Sequence, residues 1–279
     1  MNVAVPPLRV RRFAGHGLEI VTDEAGPAGA TPVILLHGGG QTRGAWGGAV
    51  REGARRGFHM ISADLRGHGE SGWSPDADYT MTAHAADVAA IARELDRPPF
   101  VVGASLGGMT GLAYAAAGQP LAGLVLVDIA PQVNTAGTDK ILAFMHSAPD
   151  GFASVDEAAD AVAAYLPHRP RPKDTSGLMK NLRLRDGRYY WHWDPRMFQA
   201  GRGPRDTDGL REAARRLTVP TLLVRGQMSD VLSQEGVDDF RTLVPHAEFA
   251  DIAGADHMVA GDRNDAFNAA TFDFLERHR

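Results

Sequence analysis

Gly103-Ala104-Ser105-Leu106-Gly107 constrains this chain more than any other five residues. It sets a serine between two glycines, where the apolar run Phe100-Val101-Val102 meets an alanine-rich segment that reads as helix, Gly108-Met109-Thr110-Gly111-Leu112-Ala113-Tyr114. A strand that turns directly into a helix leaves no room for side chains inside the bend, which explains glycine at 103 and 107. Ser105 at the apex then presents its hydroxyl outward, the strand–turn–helix context in which the serine of G-x-S-x-G acts as a nucleophile.

The rest of the chain alternates in the same way. Residues 8–13 and 17–22 read as an N-terminal hairpin turning at Gly15-His16-Gly17. Short apolar runs at 31–36, 58–63, 100–104, 123–128, 219–225 and 246–252 read as strands, with helices over 44–56, 82–96 (Thr82 as N-cap), 106–117 and 263–278 between and after them. Strand and helix in alternation argue an α/β domain with a mostly parallel sheet covered on both faces. Residues 130–216 break the pattern. They hold no strand-like apolar run, and their pieces at 138–147, 155–165, 173–184 and 208–216 read as helical. A block that long between two strands is an inserted helical cap, leaving 1–129 and 217–279 as the core.

Composition narrows the function classes. A net charge of −5 with a pI near 6.1 offers no basic footprint for nucleic acid or an anionic membrane. Cysteine is absent, which removes disulfides, thiolate zinc sites and a cysteine nucleophile. The first twelve residues carry prolines and arginines rather than an apolar core, and no apolar run reaches the length of a membrane span, so a soluble cytoplasmic protein is expected. None of the eleven histidines shows a metal-ligand spacing, so no metal is expected and no cofactor is called for. No G-x-G-x-x-G follows the first apolar parallel strand, which disfavours dinucleotide binding.

A serine hydroxyl is a weak nucleophile near neutral pH; it needs a base, and the base an orienting acid. His257, in Gly254-Ala255-Asp256-His257 beyond the last strand, is the expected base. His59 reads as a core or edge residue, while His68, His84, His246 and His278 fall on loops, helix surface or the terminus. Asp230, in Ser229-Asp230 just past a sheet strand, is the expected acid, in the chain order Ser105, Asp230, His257. Charge developing on a carbonyl oxygen needs two preorganised N–H donors. Leu106, first in the helix after the serine, is one; the other is expected from the loop His37-Gly38-Gly39-Gly40, whose glycines allow close approach.

Taken together, His37-Gly38-Gly39, Trp46, Asp64-Leu65-Arg66-Gly67-His68-Gly69-Glu70-Ser71, Gly103-Ala104-Ser105-Leu106-Gly107-Gly108, Ser229-Asp230 and Gly254-Ala255-Asp256-His257 resemble the α/β-hydrolase fold superfamily, nearest its capped bacterial esterases and cofactor-free haloperoxidase-like members. The resemblance spans nearly all of the chain outside the cap. It implies an eight-stranded, mostly parallel sheet, Ser105 as nucleophile, His257 as base, Asp230 as acid and Gly39 as the second oxyanion donor. Some members carry the acid one strand earlier, which makes Asp128, in Val127-Asp128-Ile129, the alternative. Gly40 departs toward the His-Gly-Gly-Gly loop of lipases, while the Arg-Gly-His-Gly-Glu-Ser loop belongs with the capped branch.

The residues named beside the site are Gly38, Gly40, Trp191 and Trp193, the tryptophans either lining the substrate pocket or anchoring the cap to its own core. His37 is read as a brace for the glycine loop, Asp64 as an organiser of 65–71, and Met109 and Met258 as packing residues. The expected substrate is a small-molecule carboxylic ester or lactone. The rivals are a C–C hydrolase using arginines 169, 171, 183 and 185, a perhydrolase, and a non-catalytic receptor. Serine at 105 excludes the epoxide hydrolase and haloalkane dehalogenase chemistry of the same superfamily, whose nucleophile is aspartate.

Overall fold

A computed structural model describes residues 7–167, 171, 173–197, 207–257 and 264–279. Strands β1 (Arg9–Ala14), β2 (Glu19–Ala25), β3 (Pro32–Leu36), β4 (His59–Ala63), β5 (Phe100–Ala104), β6 (Gly123–Val127), β9 (Thr221–Gly226) and β10 (Glu248–Ile252) form one sheet in the order β1-β2-β4-β3-β5-β6-β9-β10. From β4 to β10 every pairing is parallel; β1 and β2 add an antiparallel edge. The eight-stranded, mostly parallel sheet is the one expected from the sequence.

Two apolar layers cover the sheet because its central strands are apolar on both faces. In β3, Ile34 and Leu36 face one layer with helices α2 (Met81–Ala92), α3 (Leu106–Ala116), α6 (Thr207–Arg215) and α7 (Gln234–Leu243). Val33 and Leu35 face the other, with α1 (Gly47–Arg55) and α8 (Asn264–His278) supplying Val50, Phe267, Phe272 and Phe274. Each such fully buried side chain contributes about 1.5–3 kcal/mol relative to exposure. The cap on α2 is Thr80, whose hydroxyl accepts from the Ala83 amide, rather than Thr82, and α7 was not anticipated.

The inserted segment departs from an all-helical cap. Helices α4 (Thr135–Met145) and α5 (Val155–Tyr165) fall where expected, but 173–184 is not one helix. A 3-10 turn over Ser176–Asn181 leads into a hairpin of β7 (Leu182–Arg185) and β8 (Arg188–Trp191). Asp186 and Gly187, at φ 48° and 77°, form the two-residue turn between them, with the positive φ at both positions that lets a tight hairpin follow the right-handed twist of its strands. The alternation Leu-Arg-Leu-Arg, Asp-Gly, Arg-Tyr-Tyr-Trp carried that signal. Met145, Phe152, Leu182, Trp191 and Trp193 make a small apolar core of the cap's own, while α6 packs with α3 and α7 in the main layer.

Among the described residues no helix is long and apolar enough to cross a membrane, and no group of three or more His, Asp or Glu is disposed to hold a metal ion.

Candidate active site

The C-terminal edges of β3, β5 and β6 and the loop after β10 converge on one cavity of about 860 Å³. Ser105 borders it, between β5 and α3, with φ 48° and ψ −115°. Non-glycine residues reach such backbone angles at a cost of about 1–3 kcal/mol, held in place by the surrounding packing. Here that packing is unusually close. A Cβ on Gly103 would sit 2.2 Å from the Gly107 carbonyl oxygen, and one on Gly107 would sit 2.3 Å from the Leu36 carbonyl oxygen. The bend therefore demands glycine at both positions, as the sequence implied.

His257 borders the same cavity, its side chain 15% exposed, and its Nδ1 lies 2.6 Å from Asp128 Oδ2. Asp128 follows β6, the neighbour of β5, and is completely buried. Its own φ is 52°, a second strained backbone position beside the site. Oδ1 accepts from the Gly226 amide at 2.9 Å, and Oδ2 accepts from the Ser229 hydroxyl at 2.5 Å as well as facing the imidazole. With its oxygens satisfied, the carboxylate is fixed in orientation, and Nδ1 becomes the donor nitrogen of His257.

Asp230, expected in this place, is not there. Its side chain is 55% exposed and faces Lys140 Nζ at 3.6 Å. After β9 the chain turns tightly, the Ser229 amide donating to Gly226 O at 2.9 Å, so Ser229 faces inward and Asp230 outward. Ser229 Oγ also accepts the amides of Val231 and Leu232, both at 3.1 Å. The N-terminus of α4 covers the loop, leaving room for nothing larger than Gly137 against the Asp230 carbonyl. The alternative named from the sequence, Asp128, is the aspartate that meets His257.

Gly38, Gly39, Gly40 and Leu106 all border the cavity beside Ser105. Leu106 is the first residue of α3, where amides have no intrahelical acceptor and the helix dipole favours negative charge. The glycine loop is held by three imidazoles. His37 Nδ1 lies 2.8 Å from Gly38 O, while its Nε2 accepts from the Leu65 amide at 3.0 Å. His68 Nε2 accepts from the Gly40 amide at 3.1 Å, with its Nδ1 3.2 Å from Arg66 O. His192, just past β8 in the cap, accepts from the Gly69 amide at Nδ1 (2.8 Å) and faces Gly40 O with Nε2 (3.2 Å). Each ring thus accepts through one nitrogen and donates through the other, the pattern of a neutral imidazole. Burial keeps them so: it lowers His37, pushes His68 well below the usual histidine range, and brings His192 down to about 4. Neither His68 nor His84 lies on a surface as the sequence suggested; both are buried.

The loop 65–71 that carries His68 is tied from several sides. Asp64 accepts the Arg43 amide at 2.7 Å and the Glu70 amide at 2.9 Å, and pairs with the Arg43 guanidinium. Arg66, 1% exposed, grips Asp87 on α2 through two bonds of 2.6 and 3.0 Å. Asp194 anchors the cap, its amide donating to Gly67 O and its carboxylate meeting Tyr79 and Arg196.

The outer wall of the cavity comes from the cap. Trp191 and Trp193 stack at 5.0 Å between ring centroids, and Phe144 stacks on Tyr165 at 4.3 Å. The tryptophans serve in both of the ways considered: they are buried in the cap's core and they line the cavity. The carboxylates, cations and imidazole among the described lining residues are Asp139, Lys180 and His257. Arg171 pairs instead with Asp156 and Asp160, and Arg183 and Arg185 lie over the Trp73 ring; Arg169 and Met258 lie outside the described residues. Met109 borders the cavity.

A parallel sheet with a strained serine turn, bordering the same cavity as a histidine held by a buried aspartate, is an arrangement that suits a hydrolase. The alpha/beta hydrolase fold family model matches residues 31–263, and the chain belongs to that family. It is 32% identical over 246 residues to the esterase Rv0045c of Mycobacterium tuberculosis, covering 84% of this chain and 80% of that protein. A solved structure of that esterase superposes with a TM-score of 0.78 at 27% identity, over 97% of this chain and 93% of the other. A 2-(acetamidomethylene)succinate hydrolase of Mesorhizobium japonicum is 32% identical over 215 residues, 72% of this chain and 73% of that protein.

Proposed function

We propose that the chain is a serine hydrolase that cleaves small, uncharged carboxylic esters or lactones bearing an apolar or aromatic group, through an acyl-enzyme on Ser105. The observation that carries the reading is the 2.6 Å contact between His257 Nδ1 and the buried Asp128 carboxylate, beside a cavity that Ser105 also borders. With Nδ1 donating to Asp128, Nε2 is the nitrogen left to accept the Ser105 proton as Oγ attacks the ester carbonyl carbon. The amides of Leu106 and Gly39 would take the negative oxygen of the tetrahedral intermediate. As it collapses, the imidazolium protonates the departing alkoxide and the acyl group stays on Ser105. Water, losing its proton to His257, then attacks the acyl carbon and regenerates the serine.

The substrate class follows from the wall of the cavity. Phe144, Tyr165, Trp191 and Trp193 offer flat apolar surface, and the described lining carries a single lysine and no arginine. A dicarboxylate would give up its hydration there for one cation, a poor exchange. Kinship with a protein named as an esterase agrees with ester cleavage, whereas the relative named for a succinate derivative acts on a more highly charged molecule. The test is labelling by a fluorophosphonate probe together with turnover of short-chain aryl esters, using Ser105→Ala as the control. Labelling and turnover confined to the wild type are expected; neither in the wild type would refute the proposal.

A further inference from the structure

The three imidazoles on the glycine loop hold three successive peptide planes, and the third is held from the cap. His37 meets Gly38 O, which belongs to the peptide that carries the Gly39 N–H. His68 accepts the Gly40 N–H, which fixes the next plane, and His192 faces Gly40 O, which fixes the one after. The rings are themselves in contact, with centroids 5.0 Å apart for His37 and His68 and 5.8 Å for His68 and His192. Peptide units are planar and trans, so fixing a carbonyl on one side aims the N–H on the other. Glycines supply no side chain to do this for themselves and have the widest backbone freedom to lose.

We infer that His192 is a positioning residue for the oxyanion amide of Gly39, so that the donor geometry at the carbonyl depends on the cap being seated. The inference rests on the acyl-transfer reading above. His192 arrives from the end of the β7–β8 hairpin and reaches both the Gly69 amide and Gly40 O. It therefore links two core loops that are also joined by His68, through the Gly40 amide, and by His37, through the Leu65 amide. The first bond, to Gly69, would serve any tether of cap to core. The second, to Gly40, bears on the glycine loop, and the two can be separated by substitution.

His192→Gln can keep a donor near the position of Nε2, His192→Asn can keep an acceptor near that of Nδ1, and His192→Phe keeps neither. With an aryl ester, His192→Phe and His192→Asn are expected to lower kcat by about 10- to 100-fold with KM within about three-fold, and His192→Gln to recover most of kcat. Recovery by Asn rather than Gln, a loss confined to KM, or an unchanged kcat would overturn the inference. Amide hydrogen exchange over residues 38–41 supplies a readout independent of turnover. Exchange there should be faster in the Phe and Asn variants than in the wild type and near wild type in Gln; equal exchange in all four proteins would also overturn it. A wild type that neither reacts with fluorophosphonate nor cleaves esters would instead count against the acyl-transfer reading, and the exchange comparison would still decide whether His192 holds the loop.

Discussion

The Nδ1 of His257 and the Oδ2 of Asp128 lie 2.6 Å apart, across 129 residues of chain, at the edge of a sheet that buries the carboxylate completely. Removing that carboxylate's charge should leave the imidazole unoriented and unable to stabilise its own protonation. Asp128→Asn is expected to lower kcat for ester hydrolysis by about 10⁴-fold. Asp230→Asn, which touches only an exposed ion pair, should stay within about two-fold of wild type. Steady-state kinetics of the two variants side by side would expose the opposite ranking at once.

Ser229 donates to the same Asp128 oxygen that faces His257, and its Oγ also receives the amides of Val231 and Leu232. Ser229→Ala should therefore cost about 1–3 kcal/mol of stability by leaving buried groups unpaired. A urea midpoint equal to that of the wild type would contradict this.

The serine turn offers a test of steric demand against backbone strain. An added methyl at Gly107 meets the Leu36 carbonyl oxygen at 2.3 Å, so Gly107→Ala is expected to destabilise by about 3 kcal/mol or more. At Gly118, φ is +68° but nothing lies within 4 Å of the new carbon, so Gly118→Ala should cost only about 1 kcal/mol. Thermal unfolding of both variants measures the difference; equal losses would mean that strain, not contact, fixes the turn.

Phe144 presents its ring to the cavity while stacking on Tyr165. Phe144→Ala should raise KM for an aromatic ester by about ten-fold, the worth of one aromatic contact. KM for the acetate of a small alcohol should change little. A uniform rise for both esters would point to a collapsed cap instead.

Four buried histidines make stability depend on pH. Burial lowers His37, His68 and His192, the last to about 4, and it lowers His84 to about 3. In the unfolded chain a histidine takes up its proton near 6.5, so between 6.5 and these lower values the unfolded state binds more protons than the folded one. Stability from these groups is complete above pH 6.5 and is lost as the pH falls toward 4, by up to about 1.4 kcal/mol per pH unit for each histidine. Urea unfolding at pH 7 and pH 5 should give clearly different midpoints; coincident midpoints would show that the buried rings take up protons as readily as those of the unfolded chain.

Much of this was legible in the residues because the constraints were local. The strands β3, β5 and β6 announce themselves as short apolar runs, since both faces of a parallel sheet are buried. The β7–β8 hairpin carries its signal in the Asp-Gly turn, but the helical pattern on either side of it points the same residues toward helix. Thr80 and Thr82 stand two residues apart, and only the geometry of the turn chose between them.

By itself the sequence determined the bend around Ser105, because the glycines at 103 and 107 answer a contact of backbone with backbone that no side chain can share. It also determined the mostly parallel sheet. Tertiary structure decided which aspartate meets His257, since adjacent residues in a tight turn face opposite ways and Ser229, not Asp230, turned inward. It also brought His37, His68 and His192 onto one glycine loop from points as far apart as 155 residues, a convergence set by packing and invisible to local spacing.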